Sequence, residues 1–361
     1  MADAGAPKDG TPSFEGERLL VTGGAGFIGS ALVRMLLAGP GGPAEVTVLD
    51  KLTYAGNLAN LAPVIDDPRL RFVRGDICDA ELAAAVMRGQ HRVLHLAAES
   101  HVDRSIVSAA GFVTTNVLGT QTLLNAAMAA GAGTFLHVST DEVYGSIPMG
   151  SWPETDPLAP NSPYSASKAS ADLMCLAYAR TYGMDVRITR CSNNYGPYQF
   201  PEKVIPHFVT RLMRGQSVPL YGDGKNVRDW LHVDDHCRGV LLALAHGRPG
   251  EVYNIGGGAE LSNLELTHTL LDLMGLGEDR IAWVEDRKGH DRRYSVDWGK
   301  AAAELGYRPS RSFDEGLAET VAWYKDHPQW WEPLLAGVNG AHPAAGAAEA
   351  AGGPTREETR G

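Results

Sequence analysis

Tyr164 and Lys168 stand four residues apart in the segment SPYSASKASAD. On a helix, that spacing puts both side chains on one face. A free phenol titrates near ~10 and is a poor base at neutral pH. A neighbouring ammonium favours the phenolate. Moving the pKa by ~3 units takes about 4 kcal/mol of differential stabilisation. The pair is a candidate base for an alcohol undergoing oxidation. Thr140, Asp141 and Glu142 follow the apolar run TFLHVS. Adjacent carboxylates on a regular strand point to opposite faces, so both reach one substrate only where the chain turns. Thr140 is placed to begin that turn. The same residues also suit a plain helix start, with Thr140 as cap and two acids in the first turn. Beside a redox centre, paired acids suit elimination of water. One carboxyl protonates the departing hydroxide; the other, ionised, takes a carbon-bound proton, their surroundings pushing the two pKa values apart.

A redox centre is read from Thr22 to Gly29, TGGAGFIG, a Gly23-x-x-Gly26-x-x-Gly29 pattern between a strand and a helix. Glycine permits the tight turn and lets backbone N–H groups approach a pyrophosphate at the helix N-terminus. With 42 glycines in the chain, such a triplet alone is a weak sign. Asp50 strengthens it, because it ends the next strand about 20 residues on, where a carboxylate accepts from the adenosine ribose. A carboxylate there repels a 2′-phosphate, which favours NAD over NADP. Asp76 and Ile77, after the third strand, are placed to flank the adenine.

The elements that must carry these residues are short apolar runs separated by helical patterns. RLLVT (residues 18–22), EVTVLD (45–50), residues 71–73, RVLHL (92–96), TFLHVS (134–139) and DVRIT (185–189) read as strands. Helical stretches lie between them, from Ile28 to Leu37, from Gly119 to Ala130 and from Pro163 to about Tyr182, the last opened by Ser162 and Pro163. Alternating strands and helices predict an α/β fold, a doubly wound parallel sheet covered on both faces. Beyond Gly196 the pattern loosens. A smaller C-terminal substrate lobe is expected over 196–335, interleaved with a dinucleotide-binding unit over 18–195.

The chain of 361 residues carries 32 basic and 43 acidic side chains, a net charge of −11. That argues against a nucleic-acid binder, which needs clustered Lys and Arg. No apolar run approaches the ~18 residues of a membrane span. The start, MADAGAPKDG, lacks the pattern of a secretory signal. Cys78, Cys175, Cys191 and Cys237 form no CxxC pair and read as reduced thiols of a cytoplasmic protein, with no metal site. Residues 1–17 and 338–361, rich in Ala, Gly and Pro, are expected to be disordered.

Together with HLAAESHVDRSI, HVSTDEVYG, NNYGPYQFPEKVIP, PLYGDGKNVRDWLHVDDH, YNIGG and DRKGHDRRY, these segments resemble the extended short-chain dehydrogenase/reductase family, and in it the nucleotide-sugar dehydratases. The likeness spans about Arg18 to Trp331. The Thr140-Asp141-Glu142 triplet sets these dehydratases apart from sugar 4-epimerases, which lack the paired acids. The resemblance implies a redox-neutral lyase with bound NAD. Tyr164 takes the sugar 4-hydroxyl proton, Lys168 holds the ribose and lowers the tyrosine pKa, and Thr140 bonds the C4 oxygen. Glu142 removes the C5 proton and Asp141 protonates the C6 hydroxyl.

Carried over by position, the cofactor contacts fall on Gly23, Gly26, Phe27, Ile28, Gly29, Asp50, Lys51, Leu52, Thr53, Asp76, Ile77, Leu96, Ala97, Ala98, Ser100, Thr115 and Asn194, beside Tyr164 and Lys168. Substrate contacts fall on Ser100, Thr140, Asn193, Lys203, Val204, Pro219, Tyr221, Arg228, Asn263, Arg287 and His290. Arg228 and Arg287 suit a diphosphate, and Tyr221 suits packing on a pyrimidine. Each also has a plain reading: Arg228 precedes Asp229, a pair worth little at a surface, and His290 adjoins Asp291. Lys288 stands where proline is common in the family, which leaves that loop less stiff. The implied substrate is dTDP-glucose, with LTYAGN tilting the base toward thymine. A homodimer is implied through the helices around 115–130 and 165–182. The alternatives are a UDP-sugar 4,6-dehydratase, a 4-epimerase on the same scaffold, and a non-catalytic NAD-binding sensor.

Overall fold

Residues whose side chains alternate between two apolar layers build the centre of the molecule. In the first strand, β1 (Arg18–Thr22), Leu19 and Val21 enter one core and Leu20 the other. The same division of neighbours between faces, the pleat's period of two, recurs in β2 (Glu45–Asp50), β4 (Arg92–His95), β5 (Thr134–Thr140) and β6 (Val186–Cys191). The sixth N-terminal strand is β3 (Leu70–Arg74). One face is covered by helices Phe27–Leu37, Val233–His246 and Gly299–Leu305, the other by Ala80–Met87, Thr120–Ala130 and Pro163–Tyr182. Each fully buried aliphatic side chain contributes roughly 1.5–3 kcal/mol.

The computed structural model describes residues 12–38, 41–286 and 289–335. Beyond β6 come β7 (Asn193–Tyr195), β8 (Val218–Tyr221), β9 (Val227–His232), β10 (Val252–Ile255), β11 (Glu260–Ser262) and β12 (Ile281–Val284). The main sheet has seven strands, all parallel, in the order β10-β6-β5-β4-β1-β2-β3. Its order reverses between β1 and β4, and doubly wound sheets place ligands at the carboxyl ends of strands at such a point. The C-terminal lobe holds a mixed sheet, β11-β9-β7, and a parallel pair, β12-β8. Its core gathers Tyr195, Trp230, Leu317, Tyr324 and Trp331.

The segment before β1 corrects the expectation of a disordered leader through residue 17. Phe14 is only 2% exposed and joins the core. Its N–H donates to Gly41, and Glu17 pairs with Arg92 at 2.5 Å. A single aromatic side chain buried beside the first strand holds these residues in place. Positions 1–11 and the tail 338–361 lie outside the described residues. Helix formation also starts earlier than Gly119. Its first turns, Val113–Gly119, are wound as π-helix before Thr120–Ala130. Among the described residues, no helix is long and apolar enough to cross a membrane, and no cluster of His, Cys, Asp and Glu is placed to hold a metal ion.

Candidate active site

The glycine loop leaves β1 at Gly23, whose φ of +71° lies in the left-handed region. A Cβ at Gly23 would stand 2.7 Å from the Ala97 nitrogen, and one at Gly29 would stand 2.2 Å from the Gly23 carbonyl. Neither position accepts a side chain. The helix Phe27–Leu37 begins at Gly26 with no side-chain cap, which leaves its first N–H groups for an anion. Asp50 ends β2 and fixes the loop from below. One of its oxygens accepts from Ala25 N–H at 2.9 Å, the other from Leu52 N–H at 2.8 Å. Burial raises its pKa, against those two bonds. Lys51, the nearest cation in sequence, is paired with Asp76 at 2.6 Å.

The donor set therefore fits a dinucleotide whose ribose offers hydroxyls rather than a phosphate. Gly23, Gly26, Phe27, Ile28, Gly29, Asp50, Lys51, Thr53, Asp76, Ile77, Leu96, Ala97, Ala98, Ser100, Thr115 and Asn194 line one cleft, together with Tyr164 and Lys168. Leu52 is the exception. It is not in the wall, and its N–H serves Asp50.

At the far end of this cleft, β5 finishes at Thr140, which caps a short 3₁₀-helix, Asp141–Tyr144. The Thr140 hydroxyl accepts from Glu142 N–H at 3.3 Å and donates to Asp141 Oδ1 at 3.2 Å. The cap and the turn are one feature, and through it both acids enter the cleft wall. Burial, then the charges of Glu142 and Asp229, hold the Asp141 carboxyl well above the usual carboxylate range, against Arg228 and the Thr140 bond.

Tyr164 and Lys168 share the inner face of helix Pro163–Tyr182, started by Ser162 in a reciprocal capping box with Ser165. The lysine is expected to lower the tyrosine pKa, yet the net direction set by the surrounding groups is upward. Burial and the neighbouring Glu142 push the phenol well above 10, and a hydrogen bond with Thr140 opposes them only in part. Lys168 Nζ instead donates to the Val138 carbonyl at 2.8 Å and lies 3.4 Å from His137 Nε2.

Behind the lysine is a buried array spacing did not reveal. His137 lies 3.5 Å from Asp172, Arg190 pairs with Asp172 at 2.8 Å, and Arg190 also donates to the Tyr144 hydroxyl at 2.7 Å. Burial works against the Asp172 charge, but Arg190 and His137 outweigh it and hold its pKa at about 2. Burial and Lys168 push His137 down to about 4. A sign of the array was available: Asp172 continues the Tyr164–Lys168 spacing by four more residues. Glu202, also unnoticed in the sequence, lies in the cleft wall beside His101 and Arg104, at 3.4 and 3.5 Å.

Of the expected substrate positions, Ser100, Thr140, Asn193 and Lys203 line the cleft, Lys203 Nζ donating to the Ser100 carbonyl at 3.0 Å. Val204, Pro219, Tyr221, Arg228, Asn263 and His290 do not line it. Val204 begins a helix, Val204–Met213. The others gather in the C-terminal lobe. Tyr221 and His290 lie edge to face, with centroids 6.2 Å apart, and Asn263 N–H donates to Asn226. Arg228 is no surface partner of Asp229. It is 6% exposed, donates to the Asp291 carbonyl at 3.0 Å and stacks over Tyr294. Its charge and Tyr294 reach Asp141 and Glu142, which joins the lobe to the acids. His290 pairs with Asp286 at 2.6 Å rather than with Asp291. Arg287 lies outside the described residues.

A Rossmann sheet with a tyrosine–lysine helix and paired acids defines an NAD-dependent dehydratase site. The chain belongs to the GDP-mannose 4,6 dehydratase family, whose model matches residues 20–320. It is 64% identical over 320 residues to a dTDP-glucose 4,6-dehydratase of Streptomyces antibioticus, covering 88% of this chain and 95% of that one. It is also similar to the crystal structure of DesIV, a dTDP-glucose 4,6-dehydratase from Streptomyces venezuelae with NAD and TYD bound. There the TM-score is 0.87 and the identity 66%, covering 88% of this chain and 99% of that one. A UDP-glucose 4-epimerase from Thermotoga maritima with UDP-glucose is more distant, with a TM-score of 0.80 and 34% identity over 86% of this chain and 99% of that one.

Proposed function

We propose that this chain dehydrates dTDP-glucose to dTDP-4-keto-6-deoxyglucose, with NAD bound throughout. The observation that carries the reading is the placement of Thr140, Asp141, Glu142, Tyr164 and Lys168 in the wall of a single cleft that begins at the glycine loop. NAD, held by the glycine loop, Asp50 and the Asp76–Ile77 segment, supplies the hydride acceptor and then the hydride donor, and its positive ring favours the phenolate. Tyr164 takes the proton of the 4-hydroxyl while Thr140 bonds the C4 oxygen. The ketone that forms acidifies the C5 proton, and Glu142 removes it. Asp141, kept protonated by burial, gives its proton to the C6 hydroxyl, and water leaves. Glu142 then returns a proton to C5. Burial lowers the Lys168 pKa, and the Asp172 charge opposes that and favours its ammonium.

Incubation of the purified protein with dTDP-glucose, without added NAD, tests this. A product lighter by one water, with the alkali-induced absorbance of a 4-keto-6-deoxy sugar, is the expected result. Absence of product from dTDP-glucose and from UDP-glucose, even with NAD added, would overturn it.

The protein is proposed to act as a homodimer. Val113 and Leu118 on one helical stretch, and Leu173 and Tyr182 on its neighbour, are each more than half exposed. Tyr178 ties the two helices together through Asn125 at 2.6 Å. Exposed apolar side chains on two adjoining helices suit an interface. Sedimentation should give a dimer for the wild type and a monomer for Leu173→Arg.

A further inference from the structure

We propose that Asn60 and Trp330 are positioning residues for the dinucleotide: the Trp330 indole, near the C-terminal end of the fold, holds the Asn60 amide, and the amide holds the glycine loop at Ala25. The inference rests on the reading of that loop as the NAD site and goes beyond it, because neither residue lines the cleft. Ala25 stands in the middle of the loop and is fully buried. Its N–H donates to Asp50 at 2.9 Å. Its carbonyl accepts twice, from Asn57 N–H at 3.0 Å and from Asn60 Nδ2 at 2.9 Å. Gly26 N–H, on the other side of the same peptide, turns back to the Gly23 carbonyl at 3.1 Å. The peptide joining Ala25 to Gly26 is thereby fixed at both ends, and the helix of Phe27 and Ile28 starts from it. A rotation of that peptide would redirect the N–H groups that a pyrophosphate needs.

Asn60 belongs to the 3₁₀-helix Leu58–Val64 and is buried. Its Oδ1 accepts from Trp330 Nε1 at 3.0 Å. The chemistry at the two ends sets the orientation of the amide. An indole N–H only donates and a carbonyl only accepts, so the amide oxygen faces Trp330 and the amide nitrogen faces Ala25. An aspartate of the same shape would turn an acceptor on the Ala25 carbonyl. A leucine would leave the indole N–H buried without a partner. Trp330 is itself wedged among aromatic rings, its centroid 5.1 Å from that of Trp323 and 5.6 Å from that of Tyr198. Arg34, on the helix that follows the glycine loop, stacks over Tyr198 at 4.3 Å and donates to the Asn60 carbonyl at 2.5 Å. Trp330 thus bears on the loop through one side chain 270 positions away in sequence.

The next residue supplies the control. Trp331 is buried in the same short helix, Pro328–Trp331, and its Nε1 donates to the Tyr324 carbonyl at 2.8 Å, away from Asn60. Phenylalanine at either position removes one indole hydrogen bond from the same segment. Only the change at Trp330 releases the amide that holds Ala25.

Release of NAD from the loaded protein tests the proposal, followed by nicotinamide fluorescence on mixing with excess NADH, with the melting temperature of each variant measured alongside. Trp330→Phe should release NAD about 3–10-fold faster, the value of one neutral hydrogen bond. Asn60→Asp should release it about 10–100-fold faster, and adding Trp330→Phe to that variant should change the rate little. Trp331→Phe should lower the melting temperature and leave the release rate as in wild type. Where Trp330→Phe does not fold, Asn60→Asp read against Trp331→Phe decides. Equal acceleration in the Trp330 and Trp331 variants, in step with their melting temperatures, would overturn the proposal, as would wild-type release from Asn60→Asp. If wild type neither carries NAD nor takes it up, the reading of the loop itself has failed.

Discussion

Asp172 accepts from the Arg190 guanidinium at 2.8 Å, one helical turn beyond Lys168. Neither partner reaches water, so the pair is bound to the fold around it. Removing one member strands the other charge, which costs about 3–5 kcal/mol. Asp172→Asn should lower stability by that amount in urea unfolding. The double variant Asp172→Leu with Arg190→Met should recover much of the loss, because replacing both charges by apolar groups is often close to neutral.

Acid should destabilise the protein in two stages. His137 binds its proton near 6.5 when unfolded and only near about 4 when folded. Between those values the unfolded state holds more protons, so stability falls as pH drops, by about 3 kcal/mol in all. Asp172, depressed to about 2, contributes stability that is present above the unfolded carboxylate pKa and is lost as pH falls from about 4 to about 2. Unfolding free energy measured against pH should show both slopes. His137→Gln should lessen the upper one without removing it, because the buried His95 and His236 are also pushed below 6.5.

Asp50 holds the glycine loop through Ala25 with one oxygen and the Leu52 N–H with the other. An amide in its place can accept at only one atom. Asp50→Asn should weaken NAD binding by about 10–100-fold, the value of a charge-assisted hydrogen bond. Less NAD should copurify, and the preference over NADP should narrow. Titration calorimetry with both dinucleotides reads this directly.

Glu142→Gln should separate the two halves of the reaction. The C4 oxidation needs Tyr164 and Lys168, whereas C5 deprotonation needs a carboxylate. Overall turnover should fall by about 100- to 10,000-fold. The near-ultraviolet absorbance of reduced nicotinamide should build up on mixing with dTDP-glucose. Full turnover without that signal would remove Glu142 from its role.

Contiguity decided what was legible in the sequence. The glycine loop, Asp50 at the end of the next strand, and the Tyr164–Lys168 spacing are each local patterns, and short apolar runs marked the strands. His137, Asp172 and Arg190 come from three elements that only the sheet brings together. No spacing rule couples them. Arg228 resisted for a different reason. Its sequence suits either a diphosphate contact or a surface pair with Asp229, and neither reading carries its packing against Tyr294 and the Asp291 carbonyl. The tyrosine pKa stands high because burial and the neighbouring Glu142 raise it, and both depend on packing that spacing does not carry. Phe14 shows how one aromatic residue can order a segment whose composition reads as disordered.

The seventh strand of the main sheet, β10, comes from residues 252–255, and the helix Val233–His246 covers the face beside it. The chain thus passes into the C-terminal lobe, returns to finish the first sheet, and leaves again. This threading makes the order of assembly on the ribosome matter. The nucleotide-binding half cannot seal its apolar face until more than two-thirds of the chain has emerged. A fragment ending near β7 should stay sticky and bind chaperones.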